Sequence, residues 1–169
     1  MLGKTHIINS LAITSAPLVF VDELSLTVNY IIFMIFVAIG SIIPDIDEPN
    51  SILGRKFIVS STTINIFLGH RTITHNLLLF SITLVLLLIY LKEYWFLIAL
   101  NIGILLHILQ DSMTYQGIKN GIFPLQKFNY NFVLLPRIFR FAVGSIIERI
   151  ILVSSLVFFI YALYIGIKF

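Results

Sequence analysis

Residues 76–111 read NLLLFSITLVLLLIYLKEYWFLIALNIGILLHILQD, two apolar runs divided by Lys92 and Glu93 and closed by Asp111. Two adjacent charges are too costly at mid-bilayer on a lipid-facing surface. They therefore read as the tight turn of a helical hairpin whose arms are 76–91 and 94–110. Further apolar spans fall at roughly 7–21, 28–44 and 146–167. With 59% hydrophobic and 11% charged side chains and a mean hydropathy of +1.02, the chain lies far outside the composition of soluble domains. The expected fold class is all-α, a polytopic membrane helical bundle of about five transmembrane helices, forming one integral membrane domain over residues 1–169. Several spans are near 16 residues, about 24 Å at 1.5 Å per residue, so the helices extend past these limits or the bilayer thins around them. The first span is the weakest, carrying Asn9, Ser10, Thr14, Ser15 and Pro17. With Lys4 ahead of it, it has the outline of a cleavable signal peptide, and we expect it to be retained as a span.

Threading the spans alternately through a bilayer decides which polar residues can meet. Call the starting face S. Span one leaves S, and span two returns to it at IIPDIDEPN (42–50). Span three departs after GHRTITH (69–75), span four returns at HILQD (107–111), and span five leaves just after Glu148. All four histidines, His6, His70, His75 and His107, then gather at S with Asp45, Asp47 and Asp111, the site lying at one membrane face. The charged residues of the opposite face are Asp22, Glu23, Lys92, Glu93 and Lys168, and no histidine joins them. Solvation at helix ends accounts for any one polar residue at S. It does not account for five segments that all deliver ligand-type side chains there. The chain has no cysteine, which excludes disulfides and thiolate metal sites and leaves nitrogen and oxygen as the available donors.

The spacings fit metal chemistry. His107 and Asp111 are i and i+4, so on a helix they share a side, with the carboxylate either ligating a metal or orienting the imidazole. In PDID, Pro44 and Pro49 keep the segment from regular helix, which lets both Asp45 and Asp47 face inward or one bridge two cations. A plain N-cap and solvated turn is the competing account of that element. His70 and His75 suit a shared site if His70 lies in the loop and His75 in the first helical turn, with Thr72 or Thr74 capping it. Arg71 is placed to bind an anion, or to snorkel at the interface.

GSIIPDID, GHRTITHN and HILQDSMTYQG followed by GIFPL, with the early His6, resemble the YdjM family of membrane-bound, metal-dependent hydrolases. Members share a proline-aspartate-any-aspartate element, a histidine-arginine then threonine-histidine element, and a histidine with an aspartate four residues on. The resemblance runs over about residues 3–150, departing at Thr72, where a glycine is usual, and at Asn76, where a serine is usual. It implies a metal-dependent hydrolase whose histidines and aspartates are similar in pattern to those of zinc-dependent phospholipases and nucleases, with no substrate implied. Consistent with both lines is metal-assisted hydrolysis using one or two divalent metal ions, zinc first and manganese, iron or magnesium next. The expected ligands are His6, Asp45, Asp47, His70, His75, His107 and Asp111. Asp45 is ligand or general base, Arg71 the anion contact, and Glu148 an outer candidate whose competing role is a salt bridge with Arg149 or Arg140.

The connection 112–145 interleaves Phe123, Phe128, Tyr130, Phe132, Phe139 and Phe141 with Lys127, Arg137 and Arg140. Aromatics with cations suit the headgroup layer, so the segment reads either as a lid over a site for a lipid or lipid-linked anionic substrate, or as a bilayer anchor. No continuous basic surface stands clear of the membrane, so nucleic acid is not an expected partner. The rival classes are a metal-dependent transporter or sensor, which needs polar groups spread across the bilayer depth, and a scaffold, which needs no histidine cluster. Of eleven Lys and Arg, nine (Lys4, Arg55, Lys56, Arg71, Lys119, Lys127, Arg137, Arg140, Arg149) fall on S and two (Lys92, Lys168) on the other face. The positive-inside rule then puts the site toward the cytoplasm.

Overall fold

The computed structural model describes residues 1–21, 26–56, 74–125 and 130–168. The first span is two helices, α1 (Gly3–Ser15) and α2 (Pro17–Phe20). They part at Ala16 because Pro17 has no N–H with which to continue the ladder. Helix α3 (Val28–Gly40) starts at Thr27, whose hydroxyl accepts from the Tyr30 N–H, and the chain then winds into a 3₁₀ turn at Pro44–Asp47. Helices α4 (Leu77–Tyr90) and α5 (Trp95–Ser112) form the expected hairpin about Lys92 and Glu93, and α6 (Ile146–Lys168) closes the bundle.

Among the described residues, three stretches are long and apolar enough to cross a membrane: Val28–Asp47, Trp95–Ser112 and Ile146–Lys168. Helix α4 has 14 residues, about 21 Å of rise. Like the broken first span, it falls short of the roughly 20 residues that a 30 Å hydrocarbon core requires.

Helix α5 is the centre, packing on α3, α4 and α1, while α1 lies against α6. The α3–α5 contact is backbone on backbone. A Cβ on Gly40 would stand 2.1 Å from the Leu100 carbonyl oxygen, and one on Gly103 2.2 Å from that of Val37. In lipid, where apolar side chains gain little by meeting one another, such small-residue seams are what lets helices associate. The interior is correspondingly polar. Helix α1 buries Thr5, His6, Ser10 and Ser15, and its partner α5 buries Asn101, His107, Gln110 and Asp111. At the S end, antiparallel strands β1 (Ile118–Lys119) and β2 (Asn131–Phe132), paired Ile118 to Phe132, lie over α5. Ile118 joins Ile104 and Ile108 in a small apolar core there.

Candidate metal centre

His107 and Asp111 occupy successive turns of one face of α5, as their spacing requires. The close α3–α5 approach puts the carbonyl of Ser41, just past the end of α3, 2.7 Å from His107 Nδ1. A carbonyl only accepts, so Nδ1 carries the proton and the Nε2 lone pair points into the cluster.

His75 reaches the same state by another route. The Thr74 hydroxyl donates to Asp47 Oδ2 at 2.8 Å, which uses its only proton. Toward His75 Nδ1, at 3.0 Å, it is left to accept, and the His75 Nε2 lone pair also turns inward. The two Nε2 atoms lie 3.3 Å apart. Two neutral lone pairs held this close are unfavourable unless a proton or a cation stands between them.

The carboxylates complete the group. Asp45 Oδ1 is 3.6 Å from His107 Nε2 and 3.8 Å from His75 Nε2, while Asp111 Oδ2 is 3.7 Å from each. One donor atom from each of Asp45, His75, His107 and Asp111 lies within 4.8 Å of the others. Donors about 2.1 Å from a tetrahedral zinc stand about 3.4 Å apart, so this cage has the size of a first-row divalent ion as well as the chemistry for one. The four residues can hold a metal ion. His75, His107 and Asp111 are buried, and Asp45 alone is partly open, at 14% exposure of its side chain.

Two further expected residues, His6 and Asp47, lie around this cage. His6 stacks on the His107 ring, with centroids 3.8 Å apart, and its Nε2 is 3.2 Å from Asp111 Oδ1, the oxygen that also meets the Met1 amino group. The Asp111 carboxylate thus turns one oxygen to the cage and the other to His6. Asp47 is buried beside the cage on Thr74 rather than in the four-atom group. His70 and Arg71 lie outside the described residues.

Two expectations are corrected. The cap of α4 is Asn76, whose side chain accepts from the Leu79 N–H at 2.9 Å, so His75 sits ahead of the helix and Thr74 is free to hold Asp47. Glu148 accepts from the N–H groups of Leu2 and Gly144, each at 2.6 Å, where a salt bridge with Arg149 or Arg140 was expected. It ties the start of α1 to the start of α6. Sequence reasoning missed Gln110, which spans from His6 Nδ1 at 3.1 Å to the Ser10 hydroxyl at 3.1 Å. Its place one residue before Asp111, inside an apolar span, was the available signal.

A several-pass helical membrane protein with a largely buried cluster of two histidines and two aspartates is the class that fold and site define. A family model described as YdjM inner membrane protein matches residues 1–169, and the chain belongs to that family. YvsG of Bacillus subtilis (strain 168) is 33% identical over 119 residues, covering 70% of this chain and 71% of its own length. The inner membrane protein YdjM of Escherichia coli (strain K12) and that of Shigella flexneri are each 39% identical over 84 residues. Those alignments cover 46% of this chain but only 42% of either relative. No solved structure matches the chain.

Proposed function

We propose that this protein is a membrane-embedded metal-dependent hydrolase that cleaves a phosphoester of a lipid or lipid-linked substrate. The observation that carries this is the four-residue cage, whose Asp45 lines a cleft of about 620 Å³ together with Lys4 and Arg55. When bound, a divalent cation, zinc before manganese, iron or magnesium, supplies Lewis acidity toward a phosphoryl oxygen and acidifies a water. His75, His107 and Asp111 would hold it, their orientations set by Thr74, Ser41 and the α5 helix. Asp45, the cage residue that lines the cleft, takes the proton from water as general base and returns it to the leaving-group oxygen as the P–O bond breaks. Lys4 and Arg55 attract the phosphate, and Arg71 grips it. For a second ion the sequence offers His6, Asp47 and His70 as further donors. The exposed Leu125, Tyr130, Ile138 and Phe139 of the connection after α5 rest in the headgroup layer, and the site faces the cytoplasm.

Metal analysis of the purified protein, combined with a panel of phosphoester substrates, tests this reading. One to two equivalents of metal are expected, removable by chelator together with hydrolysis. Metal-free protein that keeps full activity overturns it. Arg71→Lys should leave metal content intact and weaken turnover, because a point charge cannot reproduce the bidentate contacts of the planar fork. Orientation is tested separately. A cysteine placed at Glu93 should be labelled only from outside the cytoplasm.

A further inference from the structure

Three cavities lie along α1, the first against the segment 45–55 and the other two between α1 and α6. The catalytic cleft shares Leu2 and Lys4 with a second cavity of about 390 Å³, which Thr5, Arg149 and Leu152 also line. A third, of about 450 Å³, continues down the same two helices between Ala12, Ile13, Ala16, Ser154 and Phe158. Their chemistry grades with depth. The second cavity is flanked by two exposed cations, Lys4 and Arg149, and the one carboxylate that reaches it, Glu148, is taken up by the N–H groups of Leu2 and Gly144. At the near end of the third, Asn9 and Ser155 satisfy each other at 3.0 Å, and below them the walls are small or apolar. From Thr5 to Ala16 the helix rises about 16 Å, close to the half-thickness of a hydrocarbon core about 30 Å across.

We infer that this seam is the binding groove of an anionic glycerophospholipid. Its phosphate lies at Lys4, where the Asp45 cleft meets the second cavity with Arg149 on the far side, and one acyl chain lies along α1 and α6 to the depth of a single leaflet. The inference deepens the proposed lipid phosphoesterase reading and rests on it for the nature of the head. Cations at the mouth, an uncharged polar neck and an apolar floor, continuous with the cleft at Asp45, match such an amphiphile in order and in length. A second copy of the chain, the other occupant that a small-residue seam suits, has no use for the paired cations.

Photocrosslinking in bilayers tests it, using phosphatidylglycerol with a diazirine midway along one acyl chain. Peptides from α1 and α6 facing the seam should be labelled well above those of the lipid-exposed face of α4 around Ile82, Leu86 and Ile89, which reports ordinary surrounding lipid. Ser154→Trp, which fills the groove from an exposed position, should bring seam labelling down to the α4 level. Lys4→Glu with Arg149→Glu should lower it about tenfold or more, the scale expected for two cations beside an anionic head. Equal labelling of seam and α4, labelling indifferent to these variants, or crosslinks from the seam to a second copy would each overturn the groove. Because labelling needs no turnover, seam labelling without any phosphoester hydrolysis by metal-loaded protein would keep the groove and remove the hydrolase. Hydrolysis of a soluble short-chain phosphoester with uniform labelling would do the reverse.

Discussion

Helices α5 and α6 both cross the bilayer by length and composition, yet they occupy opposite environments. In α5, 50% of the spanning window is buried inside the protein; in the longer and more apolar α6, only 11% is. In a soluble domain the greasier helix would be the inner one. Here lipid is as apolar as any leucine, so hydrophobicity marks contact with the bilayer, and the helix that carries Asn101, Gly103, His107, Gln110 and Asp111 is the core. The difference teaches where chemistry resides in this fold: on the helix whose polar side chains are hidden from lipid.

The strongest way to break the comparison is at the cage. His107→Ala or Asp111→Asn should remove metal and reduce hydrolysis by far more than the roughly 10 to 100-fold that an outlying partner costs, while the protein still elutes as a folded species in detergent. Retained metal and activity would make these residues mere helix-end groups. Acid should reach the same endpoint without mutation. Histidines titrate near 6.5 when free, and only the neutral form ligates, so metal should be lost as pH falls below about 5 to 6 and regained on raising it, read by metal analysis of desalted samples.

The next largest effect is expected at the α3–α5 contact. Gly103→Ala places a methyl group against the Val37 carbonyl, and overpacking of this kind costs about 1–3 kcal/mol, measurable as reduced thermal stability in detergent. An unchanged melting temperature would show that the helices are not held this closely. Gln110→Leu should preserve the fold but release His6, lowering metal affinity or activity about 10 to 100-fold, and parent-like metal titration would separate His6 from the site. On α6, Val157→Ala faces lipid and should shift stability by no more than about 0.5 kcal/mol. A large loss there would mean that the outer helix is buried in an assembly.

Much of this was readable from residue order. Lys92 and Glu93 turn the hairpin because charges leave the bilayer core, and alternate threading brought His6, Asp45, His75, His107 and Asp111 to one end, where the structure joins them. The division of labour among them was not readable. Asp45 and Asp47 are two residues apart on one 3₁₀ turn, and which faces the histidines depends on Thr74, a residue from another segment. Thr74 itself looked like a helix cap until Asn76 took that role. Glu148 looked like a surface ion-pair partner because its neighbours in sequence are basic, whereas its neighbours in space are two backbone N–H groups.

The sequence by itself determined that the chain is a membrane helical bundle and pointed to one end of it for His6, Asp45, His75, His107 and Asp111, because transfer of charge into lipid is costly enough to constrain topology from local composition alone. Only the tertiary structure decided which four donors form the cage and which ring nitrogens face it. Those depend on contacts of a few ångströms between distant segments, such as the Ser41 carbonyl on His107 and the Gly40 and Gly103 approach that brings it there. Hydrogen bonds and van der Waals contacts act only at that range, and no periodicity along the chain encodes them.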